Sequence, residues 1–488
     1  MEKKIGVSGM ALYVPRPCVS LDSWCSWTGN SPGKMEAVVG RSFRIPEESE
    51  SVYTMAATAA LRLILQYDID PRQVGFLALG TESSTDNSAG AIIIRGMLDQ
   101  ALVERGLPPL SRNCEVPEVK HACLGGVYAQ KAALRWLALD GAGRQAIVVA
   151  ADHAEYERDS SGEPTQGAGA VAILLEEDPA LYAVDLRQSG SSSAYRGADF
   201  RKPVRRFSIS SFASGTTRIH DFPVFSGQYS TSCYIDACVH AADDLMERLG
   251  QPHRSVYDQI KGAFLHRPYR RMPSNALSAL YLWGLSRDAD GVAELARLCE
   301  DAGVELEVVL SEMRSSPDLF NFTGQGRNGR NVYPASMELV RAFRRTPVFR
   351  ERIEGAMSLG ADRMMDLGNL YTASLPAWIA SGFVDALEKG VELDGAALLT
   401  MGYGSGDAAE AVLITAQPGW QEAASRINLE DALSDPVMLS QSQYEMLHDR
   451  GAADLPQPPS DRFFIERIGT IHEPDFQDVG VEYYQYAR

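Results

Sequence analysis

Apolar runs alternate with stretches of helical spacing along most of the chain. The runs "KIGVSGMALYVP", "VGFLALGTES", "QAIVVAADHA" and "GAGAVAILLEED" are almost continuously apolar and end at polar residues, which is typical of buried strands. Between them, "YTMAATAALRLILQY" and "VYAQKAALRWLALDGA" repeat apolar residues every three or four positions and predict helices. Buried strands that alternate with helices predict an α/β protein with a covered sheet.

The second half of the chain resumes this pattern. "SCYIDACVHAADDLMERLG" and "LYTASLPAWIASGFVDALEKG" predict helices, "KGAFLHRP" predicts a strand, and "GAALLTMGYGSGDAAEAVLITAQ" predicts two strands around a glycine turn. The common order suggests a duplicated unit, although no residue-level repeat is present. Residues 205–222 predict a loop or insertion, residues 285–320 are helical and acidic, and residues 452–461 form a proline-rich connection before the strand-like "RFFIERIG".

Composition narrows the function classes. The chain has 488 residues, of which 45% are hydrophobic and 23% charged, as in ordinary globular proteins with a large core. Its formal charge of -18 argues against a general nucleic-acid binder and against docking on an anionic membrane, but allows an anionic ligand in a local basic pocket. The first residues lack a signal core and no window of 18 apolar residues occurs, so a cytoplasmic protein is expected.

One of the seven cysteines stands at a predicted strand-to-helix junction. The seven are odd in number, widely spaced and free of C-x-x-C pairs, which indicates reduced thiols and no metal site. Cys123 opens the helix in "VKHACLGGVYAQKAAL", where the helix dipole would favour a thiolate. Gly125 and Gly126 would leave room for a substrate and offer amides to an oxyanion. The alternative is a small buried residue without chemistry.

Three other features lie at predicted strand ends. Glu82 in "GTESSTD" suits a general acid or base, or simply belongs to a polar turn. His266 in "FLHRPY" is followed by arginines that disfavour its protonation and suit a phosphate, or it is a solvated strand end. Gly404 and Ser405 in "YGSG" offer amides to a thioester oxygen, or form an ordinary hairpin turn. Glycine-rich nucleotide loops are missing, so ATP and NAD are weak candidates.

Taken in order, eight blocks resemble 3-hydroxy-3-methylglutaryl-CoA synthases: "GTESSTD", "VKHACLGGVYA", "AIVVAADHAEY", "GAGAVAILL", "ADFRKP", "FLHRPY", "GNLYTASL" and "YGSG". The resemblance extends from about Lys4 to about Ala416. It implies a thiolase-like fold with five αβαβα layers from two similar halves, usually in a homodimer. The halves would be 1–176, with Glu82 and Cys123, and 177–488, with His266, Asn369, Ser405 and an extended tail from about 426.

The resemblance also implies a reaction, without a cofactor. Cys123 would take an acetyl group from acetyl-CoA as a thioester. Glu82 would remove a proton from the acetyl methyl group and later act as an acid. His266 would bind acetoacetyl-CoA, whose C3 the enolate attacks, and hydrolysis would release the 3-hydroxy-3-methylglutaryl product. This acyltransferase activity belongs to the mevalonate route to isoprenoids. The residues that match substrate-binding positions are Asp152, Tyr156, Thr165, Asp199, Ser230, Arg271, Asn369, Tyr371, Gly404 and Ser405.

The chain departs from the family pattern at several positions. Leu124 follows the cysteine where an aromatic residue that shapes the acetyl pocket is usual, and Asn275 replaces a usual basic residue. The usual lysine after the aspartate of "STDNSAG" is also missing. Arg270 or Arg271 is expected to take over contact with the CoA phosphates.

These departures keep alternatives open. In relatives that perform polyketide β-branching, the acetyl donor or the β-ketoacyl acceptor is carried by an acyl carrier protein, which the basic run Arg201–Arg206 would suit. A non-catalytic homologue is disfavoured by the complete Cys, Glu and His set. A ketoacyl synthase III, with its Cys-His-Asn set, fits the Glu82 block poorly.

Overall fold

The structure of the chain, a computed structural model, describes residues 4–88, 90–196, 199, 222–224, 227–317, 319, 332–456 and 460–488. The strands are β1 (Ile5–Tyr13), β2 (Pro17–Ser20), β3 (Ser42–Arg44), β4 (Val74–Gly80), β5 (Glu118–Val119), β6 (Gln145–Ala154), β7 (Gly167–Glu177), β8 (Tyr182–Ser193), β9 (Gly262–Leu265), β10 (Ala397–Gly404), β11 (Ala408–Ala416), β12 (Val437–Met438), β13 (Arg462–Ile468), β14 (His472–Glu473), β15 (Phe476–Gln477) and β16 (Glu482–Ala487).

The helices follow the same chain order. They are α1 (Leu21–Thr28), α2 (Pro32–Val38), α3 (Val52–Gln66), α4 (Gly90–Glu104), α5 (Gly125–Ala138), α6 (Gly227–Leu249), α7 (His253–Gln259), α8 (Arg271–Leu285), α9 (Ala289–Ala302), α10 (Leu306–Arg314), α11 (Pro334–Phe343), α12 (Ser374–Lys389), α13 (Trp420–Ser425), α14 (Leu429–Leu433) and α15 (Gln441–Arg450). None of these helices, in the part of the chain that is described, is long and apolar enough to span a membrane.

The main sheet has nine strands in the order β5-β4-β6-β7-β1-β8-β11-β10-β9. Pairing is parallel towards each end, between β4 and its neighbours and between β9 and β10, and antiparallel in the middle. Only two residue pairs, Gly6 with Ala183 and Val7 with Tyr182, join β1 to β8, so two half-sheets meet there. The sequence pattern missed β8, because the middle of that strand carries half-buried and exposed residues.

Helices cover both faces of each half-sheet. Helix α3, with twelve buried residues, packs on β1, β6 and β7, and α6 packs on β8 and β11. Helix α5 packs on β4 and β6, while α12 packs on β9 and β10. Gly402 of β10 lies against Leu124 and Val127 of the α5 region, so α5 faces both half-sheets. The order helix, sheet, helix, sheet, helix gives the expected five-layered α/β arrangement.

The predicted irregular segments have different outcomes. Residues 205–222 lie outside the described residues except for Phe222, and the basic run 201–206 lies outside them altogether. Helices α9 and α10 occupy most of the acidic region predicted to be helical. In the tail, β13 pairs with β16 and packs on α3. Helix α15 reaches back to the first half, where the His448 ring lies 2.8 Å from the Tyr156 carbonyl oxygen.

Candidate active site

Cys123 lies in a tight turn that leads into α5. The preceding residue, Ala122, has a φ of 40°, and the amide of Leu124 donates to the carbonyl of His121 at 2.9 Å. A Cβ on Gly125 would lie 2.7 Å from the Val119 carbonyl oxygen, and one on Gly126 would lie 3.0 Å from the Cβ of Ala150. The glycines therefore allow α5 to approach the sheet closely, and the expectation that they leave open space for a substrate is wrong.

Glu82 is the nearest acidic neighbour of this thiol. It follows β4, and its Oε2 lies 3.6 Å from the Cys123 Sγ. Asp152, at the end of β6, fixes the loop: its Oδ1 accepts the amides of Glu82 at 2.7 Å and Ser83 at 2.9 Å. The Asp152 Oδ2 accepts the Thr372 amide at 2.9 Å, which connects the loop to the second half. Asp152 is completely buried, so it holds other residues and does not reach the cavity described below.

The thiol is neutral in this setting. Burial, followed by the negative charges of Glu82 and Asp152, raises the pKa of Cys123 well above its usual range. Only the cysteine's own backbone amide acts in the opposite direction. The expectation that the helix terminus would stabilise a thiolate is therefore wrong, because removal from water and two nearby carboxylates outweigh the dipole. A base must take the proton during any reaction, and Glu82 is in place to do so.

A cavity of about 1040 Å³ opens beside the cysteine. Eight of the predicted site residues line it, from both halves of the chain: Cys123, Tyr156, Thr165, Ser230, His266, Arg271, Asn369 and Ser405. Glu82, Asp199, Tyr371 and Gly404 do not line it, and Glu82 lies next to the lining residue Cys123. Tyr371 packs with Cys123 and Tyr156, and its amide donates to Asn369 at 2.9 Å. Gly404 lies against the His121 carbonyl, behind the cysteine turn.

His266 follows β9 and lines the same cavity as Cys123. Its amide donates to Met401 at 2.8 Å, and the Tyr234 hydroxyl donates to its carbonyl at 2.9 Å. Burial lowers the pKa of His266 to about 3, so the imidazole is neutral, as expected. The expected cause was the charge of Arg270 and Arg271, but burial alone lowers the pKa of His266. The buried Nδ1 of His266 has no hydrogen-bond partner among the described residues.

Behind Ser230 lies a pair of buried carboxylates, Asp199 and Asp407. The Tyr403 hydroxyl donates to both, at 3.1 and 2.9 Å, and the Ser230 hydroxyl donates to Asp199. Burial and then the charge of Asp199 raise the pKa of Asp407 to about 8, so the pair holds a proton at neutral pH. Ligand-type atoms of Asp199, Asp407 and Cys233 lie within 4.8 Å of one another. The second Asp407 oxygen, Oδ2, lies 3.5 Å from the Arg196 Nε, so a cation already faces this cluster.

Sequence reasoning missed Tyr403 and Asp407, although Tyr403 is the first residue of the quoted "YGSG" block and Asp407 directly follows it. The expectation that position 124 shapes the acetyl pocket does not fit the location of Leu124. This side chain is fully buried and packs against Gly402 and Gly404 instead of lining the cavity. Asn275, by contrast, does lie on the cavity wall, where its Oδ1 accepts a hydrogen bond from Arg344 at 3.1 Å.

Comparison of the sequence with known proteins finds similarity to hydroxymethylglutaryl-CoA synthases. The profile "Hydroxymethylglutaryl-coenzyme A synthase N terminal" matches residues 1–180. The hydroxymethylglutaryl-CoA synthase of Haloferax volcanii is 27% identical over 453 residues, which is 91% of each chain. The chain is similar to hydroxymethylglutaryl-CoA synthases over most of its length. The family signature thus covers the half that contains Glu82 and Cys123, and the full-length match covers the rest.

Solved structures of this synthase family extend the likeness to the fold. MvaS in complex with 3-hydroxy-3-methylglutaryl coenzyme A is 26% identical, covers 100% of both chains and has a TM-score of 0.77. The curacin pathway HMG synthase, solved in complex with an acetyl donor carrier protein, is 17% identical with a TM-score of 0.66, which is a likeness of fold alone. The predicted thiolase-like, five-layered fold is confirmed.

Proposed function

We propose that the chain is an acyltransferase that condenses a Cys123-bound acetyl group with acetoacetyl-CoA to give 3-hydroxy-3-methylglutaryl-CoA and free CoA. The observation that carries this proposal is the arrangement of three side chains. The Cys123 thiol is 3.6 Å from the Glu82 carboxylate and shares one cavity wall with a neutral His266. Similarity to hydroxymethylglutaryl-CoA synthases supports the same reaction.

In the first step, the sulfur of Cys123 attacks the carbonyl of acetyl-CoA. Glu82 takes the thiol proton, the bond between the acetyl carbon and the CoA sulfur breaks, and CoA leaves as the thiol after receiving that proton. The raised pKa of Cys123 makes this base necessary, because a neutral thiol is a poor nucleophile. The product is an acetyl thioester next to a carboxylate that is again ionised.

In the second step, Glu82 removes a proton from the methyl group of the acetyl thioester. The resulting enolate forms a carbon–carbon bond to C3 of the acceptor, and the protonated Glu82 returns its proton to the new alkoxide. His266 and Asn369, which line the same cavity, hydrogen-bond the acceptor oxygens. A neutral imidazole suits this role, since it donates a hydrogen bond without adding a charge to the buried wall. Water then cleaves the Cys123 thioester.

The remaining assigned residues shape this site. Tyr156, Thr165, Ser230, Arg271 and Ser405 line the cavity and would contact substrate. Residues behind the wall would act by position, holding the reacting loops: Asp152, Asp199, Tyr371 and Gly404. The chemistry needs no cofactor beyond the CoA thioesters. A homodimer and a cytoplasmic location remain predictions, and sedimentation of the purified chain tests the first.

The decisive experiment follows acetylation of Cys123 by mass spectrometry. We expect free acetyl-CoA to acetylate it rapidly, and acetoacetyl-CoA then to turn the enzyme over. Cys123→Ala should take up no acetyl group, and a Cys123→Ala protein that still condenses would eliminate the mechanism. His266→Ala should be acetylated normally but bind the acceptor more weakly. Acetylation by an acetyl-loaded carrier protein but not by acetyl-CoA would instead identify the polyketide β-branching type of synthase.

A further inference from the structure

A cluster of arginines lies on the wall of the cavity that contains Cys123. Arg271 is the first residue of α8, and Arg344 directly follows α11, which packs on α8. Both line the cavity together with Arg341. Neither Arg271 nor Arg344 forms an ion pair with any residue of the described ranges. The Nε of Arg271 is buried and has no hydrogen-bond partner among those residues.

Asn275 positions one of these cations. Its side-chain oxygen accepts a hydrogen bond from the Arg344 Nη1 at 3.1 Å, and the Arg344 guanidinium lies 5.8 Å from the ring centre of Phe349. Burial and then the positive charge of Arg271 lower the pKa of Arg344, while Glu354 acts in the opposite direction, so the two guanidinium groups are close enough for their charges to interact. Two like charges held together on a cavity wall repel unless an anion lies between them.

The acidic side chains of this wall do not supply that anion. Both carboxylate oxygens of Glu312 accept backbone amides, those of Ala335 and Ser336, at the start of α11. Glu338 is exposed and makes no ion pair within the described part of the chain. The cavity therefore offers two guanidinium groups that have no ion-pair partner among the described residues. Guanidinium is the side-chain group best matched to phosphate oxygens.

We propose that Arg344, oriented by Asn275 and paired with Arg271, binds a phosphate group of the pantetheine thioester substrate. The cation is the Arg344 guanidinium, at the end of α11. On α8, Asn275 stands where the family pattern usually has a basic residue. This inference rests on the proposed function for the identity of the ligand. The phosphate is either the one next to pantetheine, which CoA and the phosphopantetheine arm of a carrier protein share, or one at the nucleotide end of CoA, and the probes below distinguish the two.

The test measures binding of CoA, 4′-phosphopantetheine and pantetheine by calorimetry. Arg344→Ala should weaken CoA about tenfold and leave pantetheine unchanged, because one charge-assisted hydrogen bond is lost. Arg344→Met, which keeps most of the side-chain volume, should show the same loss of CoA affinity. Arg345→Ala changes an exposed neighbour that does not line the cavity and is the matched control. Adding Asn275→Lys to Arg344→Ala should restore CoA affinity.

The probes whose affinity falls in Arg344→Ala identify which phosphate of the ligand is bound. If 4′-phosphopantetheine also binds about tenfold more weakly to Arg344→Ala, the group bound is the one that carrier arms share; if CoA alone is affected, it is at the nucleotide end. Equal losses for pantetheine and CoA, or no loss for any probe, would overturn the inference. A wild-type protein that binds CoA through Arg344 but never acetylates Cys123 would disprove the proposed function and leave this inference standing.

Discussion

The charge of Glu82 should control the reactivity of Cys123 in the resting enzyme. At 3.6 Å from the sulfur, a full negative charge disfavours a thiolate by about 4–5 kcal/mol at an effective dielectric constant of about 20. Glu82 is only half-buried, so solvent screening reduces this penalty. Since 1.36 kcal/mol corresponds to about one pKa unit, Glu82→Gln should lower the pKa of Cys123 by about one to three units.

Alkylation by iodoacetamide measures this change, because only the thiolate reacts. At pH 8 we expect Cys123 of Glu82→Gln to be alkylated at least about tenfold faster than in the wild type, since each pKa unit is a factor of ten in thiolate. Mass spectrometry of the Cys123 peptide reports the rate, and Cys114 of the same chain serves as an internal standard. Glu82→Asp keeps the charge and should remain slow.

The opposite result would refute the electrostatic argument. If Glu82→Gln reacts at the wild-type rate or more slowly, then Glu82 does not oppose the thiolate, and the pKa of Cys123 is raised by burial alone. The same variant separates the two proposed roles of Glu82. It should still accept an acetyl group on Cys123, because its thiolate fraction is higher, but it should not condense that group with acetoacetyl-CoA.

Three further variants test the surroundings of the site. The pKa of His266 is about 3 in the folded state and about 6.5 in the unfolded state, so the wild type loses stability as pH falls from 6.5 towards 3. Between pH 7 and pH 5 this loss is about 2 kcal/mol, and urea unfolding of His266→Gln should not show it. Asp152→Asn should lower the free energy of unfolding by about 2–3 kcal/mol and slow condensation, since the NH2 group replaces one acceptor oxygen and faces either the Thr372 amide or the amides of Glu82 and Ser83. An unchanged denaturation midpoint would contradict its positioning role. Leu124→Phe should lower the free energy of unfolding by about 1–3 kcal/mol, because the larger ring meets Gly402 and Gly404, but it should leave the choice of acyl donor unchanged. Altered selectivity between acetyl-CoA and propionyl-CoA would show that position 124 does reach the substrate.

The sequence was informative where chemistry stands at the end of a buried strand. Glu82 follows β4, Asp152 ends β6 and His266 follows β9, and these strands lie in parallel pairs whose carboxyl ends meet at one edge. An apolar run followed by a polar residue can be recognised in the sequence alone. The α/β class and the strand-end positions of Glu82 and His266 could therefore be predicted, whereas the choice of Cys123 among seven thiols rested on the family resemblance.

Other features depend on neighbours that are distant in the chain. Leu124 looked like a pocket residue because it follows the cysteine, but its surroundings are set by β10, far along the sequence. Arg344 and Asn275 are 69 positions apart, and no local pattern links them. The neutral state of the thiol similarly depends on burial and on Asp152 as well as Glu82, which the local helix-dipole argument did not include.

The arrangement of charges suits a reaction with two successive proton transfers. In the resting site, one carboxylate keeps the neighbouring thiol neutral, so the cysteine is protected from unproductive alkylation or oxidation. Once Cys123 carries an acetyl group, the sulfur has no proton to lose, and the same carboxylate, fixed by Asp152, faces the new substrate. When Glu82 takes the methyl proton it becomes neutral as the enolate becomes negative, so the net charge of the buried site does not change. A neutral His266 preserves this balance, because a protonated imidazole would add a positive charge to the buried site.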